Sequence, residues 1–217
     1  MPLTLRLRSD RPDSPAVVEA AGIIRAGGVV IFPTETVYGI GVGLDHLAAT
    51  ARIFEVKGRP RELPLLVHCA EVQDVTGLVR TIPAPAFGLM QAFLPGPLAL
   101  ILIASERIPA ALRGPGDTIG IRVVSHPAAR ALIRRAGMPL VGSSANRHHA
   151  DATAEFSAID PALAAGADVI LDAGRCGTGV ASTVLNLAVE PPRLLREGAI
   201  SRPAVEAVLG KKLAGAG

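Results

Sequence analysis

Val29-Val30-Ile31-Phe32-Pro33-Thr34-Glu35-Thr36-Val37-Tyr38-Gly39 sets a short apolar run against a proline and then a dense polar set. Four consecutive apolar residues suit a strand buried on both faces, and Pro33 ends it. In open α/β sheets, ligands bind at the carboxyl ends of such strands. Two hydroxyls, a carboxylate and the single tyrosine of the chain fall within five residues here. They form either a ligand-binding turn or a capped turn whose side chains satisfy their own backbone. The following Gly39-Ile40-Gly41-Val42-Gly43 falls short of the GxGxxG dinucleotide fingerprint and is a weak signal.

Outward from this run, strand and helix patterns alternate. Ser14-Pro15 opens a helix with an N-cap and a proline at its first position, and Gly27-Gly28 closes it. Asp45 is placed to cap a helix carrying Leu47, Ala51 and Phe54 on one face and ending near Gly58. Residues 64–69 read as a strand, and 71–93 as mostly helical with interruptions at Pro83 and Pro85. Further strands are expected at 98–103, 118–124, 139–142, 169–172, 182–189 and 193–196. A helix at 126–136 finishes at Gly137, Ser201 caps a last helix ending at Gly210, and the tail beyond Lys212 is expected to fray. No linker or internal repeat divides the chain. The expectation is one α/β domain over 1–217, core about 14–210, with a large twisted mixed sheet, flanking helices and no additional C-terminal domain.

Composition narrows the function. Of 217 residues, 49% are apolar and 19% charged, enough for a sizeable core without disulfides. Aromatic residues are only 3% and tryptophan is absent, which argues against base-stacking nucleic-acid modules. A net charge of +3 suits anionic small molecules or a weak nucleic-acid footprint. Cys69 and Cys176 are far apart with no metal-ligand spacing, as in a reducing cytosol. The first fifteen residues lack an apolar signal core, and no stretch reaches the roughly 18 apolar residues of a membrane span. A cytoplasmic protein is expected.

The chemistry-bearing residues are scattered. Lysine occurs three times, as Lys57, Lys211 and Lys212, in a chain whose other cations are arginines. Lys57-Gly58-Arg59-Pro60-Arg61 is either a solvated helix end or an anion site built from a compact ammonium and a planar guanidinium. His68 ends an apolar strand. In Thr118-Ile119-Gly120-Ile121-Arg122, alternation puts Thr118, Gly120 and Arg122 on one face. A guanidinium buried there needs an anion, either a substrate carboxylate or a structural Asp or Glu. Gly142-Ser143-Ser144-Ala145-Asn146 reads as a strand-end turn open to phosphate or ribose. The neighbouring His148, His149 and Asp151 make a poor metal set. Gly174 to Thr183 is glycine-rich but lacks the Walker pattern, although its amides and Ser182 can line an anion site; Arg196 adds a cation near a strand end.

In order, Pro33-Thr34-Glu35-Thr36-Val37-Tyr38-Gly39, Lys57-Gly58-Arg59-Pro60 with His68, Pro95-Gly96-Pro97-Leu98, Gly120-Ile121-Arg122, Ser144-Ala145-Asn146, Ser182-Thr183-Val184 and Leu195-Arg196-Glu197-Gly198 resemble the YrdC-like family of threonylcarbamoyl-adenylate synthases. The resemblance implies a single α/β domain around a concave basic cavity. It implies a nucleotidyltransferase making L-threonylcarbamoyl-AMP from ATP, L-threonine and bicarbonate, with release of pyrophosphate. The product would feed a threonylcarbamoyl transferase acting on tRNA. Carried over by position, Lys57 and Arg59 are the catalytic cations. Lys57, Arg59, Thr118, Ser144, Asn146 and Arg196 would meet ATP. Thr34, Thr36, His68, Arg122 and Ser182 would surround the threonine, Arg122 pairing its carboxylate. Mg²⁺ would come with ATP, held mostly by phosphate and water rather than by a protein metal site.

Two positions depart from the family pattern. Leu63 stands where an asparagine is usual, and Arg147-His148-His149-Ala150-Asp151-Ala152-Thr153 replaces a Ser-Gly turn and Ser-Pro-Thr step, so Ala152 lacks a hydroxyl. Each change removes a hydrogen bond worth about 1 kcal/mol, and Arg147 is a candidate to compensate. The rival readings are a YrdC-like protein that binds tRNA or rRNA without catalysis, through contact with tRNA or double-stranded RNA, and a paralogous adenylating enzyme with another substrate.

Overall fold

The apolar run at 29–32 divides its side chains between two cores. Val30 and Phe32 pack into one hydrophobic cluster, Val29 and Ile31 into the other, and all four are buried. Alternation along an extended chain sends neighbouring side chains to opposite faces, so an unbroken apolar strand needs cover on both. Burying each such side chain is worth about 1.5–3 kcal/mol, which anchors this strand in the sheet interior.

The structure, a computed structural model, describes residues 2–7 and 14–213. In chain order β1 (Leu3–Arg6), α1 (Pro15–Arg25), β2 (Val30–Phe32) and β3 (Gly39–Gly43) lead into α2 (Leu47–Lys57) and β4 (Leu66–Cys69). Then follow α3 (Ala84–Phe93), β5 (Leu98–Ile103), β6 (Thr118–Val123), α4 (Pro127–Ala136) and β7 (Leu140–Ser144). The chain continues through α5 (Pro161–Ala165), β8 (Val169–Asp172), β9 (Thr183–Asn186), β10 (Arg193–Arg196) and α6 (Arg202–Leu209). The ten strands form one mixed sheet in the order β1-β8-β2-β3-β7-β4-β6-β5-β9-β10. The pairs β1/β8, β2/β8, β4/β6 and β5/β9 are parallel, and the others antiparallel. Helices α1 and α4 pack together over one face, while α2, α3 and α6 contribute Ile53, Leu89 and Val205 to the core on the other.

Several local expectations are corrected. Gly39 to Gly43, already a poor match to a dinucleotide loop, is the buried strand β3, antiparallel to β2 and β7. Gly39 is required by close approach, since a Cβ there would sit 2.9 Å from the Phe32 ring. Ser143 and Ser144 belong to β7 rather than to a turn after it. Asp45 does not cap α2: the turn closed by His46 N–H on the Gly43 carbonyl (3.0 Å) leaves His46 at the N-cap. Ser14 is at the N-cap of α1, but its buried hydroxyl makes no bond. Pro85 starts α3 rather than interrupting it, because the first helical turn has no use for its missing N–H. At the end of the chain, Leu213 N–H bonds Glu206 Oε1 at 3.0 Å; the rest of the tail expected to fray, 214–217, lies outside the described residues.

Candidate active site

The turn after β2 holds itself. Thr34 Oγ accepts the N–H groups of Thr36 and Val37 at 3.2 and 3.3 Å and donates to the Val37 carbonyl at 2.6 Å. The glycine-rich segment straps this turn from outside: Thr178 N–H bonds the Glu35 carbonyl (3.1 Å) and Gly179 N–H the Thr36 carbonyl (2.8 Å). Gly177 sits at φ +55°, with room for no Cβ, since one would lie 2.4 Å from the Glu35 carbonyl carbon. Both readings of the turn therefore hold at Thr34, which caps its own backbone and also lines a cavity of about 250 Å³.

That cavity is lined by Thr34, Arg59, His68, Arg122, Ser144, Ser182 and Arg196 among the expected site residues. Pairing of β4 with β6 brings His68 level with Arg122, and pairing of β3 with β7 brings Ser144 opposite Gly39. Arg196 donates through Nε to the Ser182 carbonyl (2.9 Å) and through Nη2 to its hydroxyl (3.2 Å). Arg59 is held by the carbonyls of Leu63 (3.0 Å) and Pro64 (3.1 Å). The backbone at position 63 does this work, so leucine there does not release Arg59. Burial lowers the pKa of Arg196, and the charges of Arg122 and Arg59 lower it further. His68 is 3% exposed and its ring meets Phe32 edge-on, with centroids 5.8 Å apart. Burial, helped by the Arg122 charge, brings its pKa down to about 4, so it is neutral at pH 7.

Four expected site residues lie outside the lining. Lys57 is buried, and its ammonium donates to the carbonyls of Ser144 (2.6 Å) and Asn146. Burial, with the neighbouring Arg59 charge, lowers its pKa to about 8. His148 N–H returns a bond to the Lys57 carbonyl (2.8 Å), so α2 and the loop after β7 are clasped together. Thr36 is fully enclosed and accepts a bond from Arg122 Nη2 (2.9 Å). Thr118 turns its hydroxyl to the Pro115 carbonyl (3.0 Å), and Asn146 directs Nδ2 to the carbonyls of Arg147 (2.9 Å) and Ala150 (2.6 Å). Arg147, the candidate to compensate for Ala152, faces Asp160 at 3.6 Å instead.

The sequence reading assigned no role to Glu35, whose Oε1 meets Arg122 Nη2 at 2.8 Å. A carboxylate directly after a buried strand, in a chain with an enclosed arginine in need of an anion, was the available signal. Burial pushes the Glu35 pKa up, but the Arg122 charge and hydrogen bond outweigh it and leave it below the ordinary value.

With this geometry in view, the family model described as telomere recombination, that of Sua5, YciO and YrdC, matches residues 22–198. The chain belongs to the Sua5/YciO/YrdC family. A threonylcarbamoyl-AMP synthase of Bacillus subtilis is 39% identical over 91% of this chain and 58% of its own length. One from Pyrococcus abyssi is 38% identical over 88% of this chain and 56% of its own length. The chain thus spans somewhat over half the length of these relatives. The crystal structure of P. abyssi Sua5 complexed with L-threonine superposes with a TM-score of 0.88 at 35% identity, covering 98% of this chain and 62% of that one. The mixed α/β sheet with flanking helices is that of the Sua5/YciO/YrdC fold. Among the described residues no helix is long and apolar enough to cross a membrane.

Proposed function

We propose that the chain is a threonylcarbamoyl-AMP synthase, a nucleotidyltransferase that joins L-threonine, bicarbonate and ATP and releases pyrophosphate. One observation carries the reading. Three arginines, a neutral histidine and the hydroxyl residues Thr34, Ser144 and Ser182, from distant parts of the chain, line one cavity, in a family with a member crystallised with L-threonine. The threonine amine and bicarbonate condense to a carbamate with loss of water. A carbamate oxygen then attacks the α-phosphorus and pyrophosphate leaves. Such a sequence needs positioning and positive charge, not a protein nucleophile.

Arg122 takes the substrate carboxylate through the guanidinium edge that faces the cavity. Thr34, Ser182 and neutral His68 offer partners for the threonine hydroxyl and amine, which is how a site rejects an isostere lacking the hydroxyl. Thr36 contributes by holding Arg122. At the nucleotide end, Arg59, Ser144 and Arg196 meet the phosphates and ribose, with Thr118 and Asn146 shaping the adjoining loops. Lys57 serves this end from behind, fixing the backbone of Ser144 and Asn146. Mg²⁺ would arrive on the phosphates of ATP, held mostly by phosphate oxygens and water. The product would pass, in the cytoplasm, to a transferase that modifies tRNA.

Pyrophosphate release from ATP, measured with bicarbonate and each candidate amino acid, tests this. Release that depends on both threonine and bicarbonate is expected. Release with a different amino acid would assign the chain to a paralogous enzyme. No turnover beside tight, salt-sensitive binding of tRNA would sink the catalytic reading.

A further inference from the structure

Arg122 is enclosed, yet a single nitrogen carries its hydrogen bonds. Nη2 donates to Glu35 Oε1 (2.8 Å) and to Thr36 Oγ (2.9 Å), while Nε is buried without a partner. Glu35 is likewise half used: Oε2 is buried and unbonded. Arg122 lines the cavity, whereas Glu35 is not among its lining residues. Glu35 is fixed by its backbone, whose carbonyl takes the Thr178 N–H (3.1 Å) and leaves no space for a Cβ at Gly177. The carboxylate therefore acts on any ligand through the guanidinium and through its own charge.

We propose that Glu35 is a positioning residue that sets how strongly Arg122 grips the substrate carboxylate, holding the guanidinium in place while cancelling part of its charge. The inference rests on the substrate reading given above. A lone guanidinium enclosed in the wall would be costly while the cavity is empty and would hold any carboxylate hard. With Glu35 in place, an incoming carboxylate is the second anion on one cation, attracted by Arg122 and repelled by Glu35. This matters for turnover because the adenylated product keeps the threonine carboxylate. Equal tight binding of substrate and product gains nothing once the site is filled, and a moderated grip lets the product leave.

The test uses the full chain with Glu35→Gln and Glu35→Asp. Calorimetry without ATP measures binding of L-threonine and of L-threoninamide, which lacks the carboxylate, and pyrophosphate release gives kcat and KM. Wild type should prefer threonine to its amide. Glu35→Gln, which keeps an oxygen for Nη2 but removes the charge, should bind threonine roughly three- to tenfold more tightly and the amide unchanged. Its KM for threonine and its kcat should fall together, a pattern that a merely structural defect does not give. Glu35→Asp, whose carboxylate is drawn back by one methylene, should move threonine binding in the same direction by less. It decides alone if melting curves show Glu35→Gln unfolded. Threonine bound no tighter by the folded variant, or threonine and amide tightened alike, overturns the role of Glu35. If wild type binds neither compound, or both equally, the substrate reading itself fails and this inference falls with it.

Discussion

Arg122 and Lys57 are both almost wholly enclosed beside the cavity, 4% and 3% exposed, but the first faces a carboxylate and the second faces only carbonyls. A charge out of water must be compensated or given up. The Arg122 charge is compensated by Glu35, 2.8 Å away. Lys57 has no such partner, and burial draws its pKa down to about 8. Losing that proton does not break the clasp, since a neutral amine keeps two N–H groups for two carbonyls. A guanidinium, which does not give up its proton in a protein, lacks this option. The cavity thus has a charge-balanced end around Arg122 and a backbone-clasped end around Lys57.

The contrast is broken most severely at the balanced end. Arg122→Ala leaves the largely buried Glu35 carboxylate without its cation, so urea unfolding should show a loss of about 3–5 kcal/mol. Threonine affinity should fall far more than ATP affinity; equal losses would contradict the placement of Arg122 at the amino acid. Next comes pH. His68, level with Arg122, has a native pKa near 4 against 6.5 for an ordinary histidine. The unfolded chain therefore binds a proton that the native state refuses between those values. This contribution is complete above pH 6.5 and is lost as pH falls through 4, on the order of 3 kcal/mol. Urea unfolding between pH 7 and 4 reads the slope, which His68→Phe should flatten.

At the clasped end the effects on stability are smaller. Lys57→Met fills the space but leaves the carbonyls of Ser144 and Asn146 without a donor, a loss of about 2 kcal/mol in the same unfolding measurement. Lys57→Arg retains a cation but puts a planar fork where a compact ammonium meets two carbonyls. Displacement of the β7 loop should then slow pyrophosphate release by up to about a hundredfold, and wild-type turnover would show that charge alone matters there. Leu63→Asn, restoring the side chain usual in the family, should change stability by less than about 0.5 kcal/mol and leave the KM for ATP unmoved, because the position 63 carbonyl already holds Arg59.

What the sequence disclosed follows from where side chains carry periodic information. The run at 29–32 and the apolar strand before His68 were readable because burial on both faces forbids polar residues. β3 was not, since three of its five residues are glycine and have no side chain to alternate. β1 is an exposed edge strand, and α5, five residues long, is too short for a helical period. In the site, Arg122 and His68 were legible as polar groups in apolar strands. A structural carboxylate for Arg122 was one of two open readings, but which carboxylate was not legible, because Glu35 lies 87 residues away and meets it through the sheet order. Thr118 follows the alternation of Arg122, yet the turn at Pro115 takes its hydroxyl. Lys57 drew attention by composition, but its direction, into backbone rather than cavity, depended on where the β7 loop lies.

The rarity of lysine gives the clasp an experimental handle. Lys211 and Lys212 sit in the C-terminal tail on Glu190 and Glu206, with Lys212 largely exposed, so an amine-acylating reagent should modify the tail readily. Lys57 reacts only when the loop after β7 swings off α2. The rate at which peptide mass spectrometry sees the adduct on Lys57 itself therefore times the opening of the nucleotide end in the unaltered protein, with no engineered label.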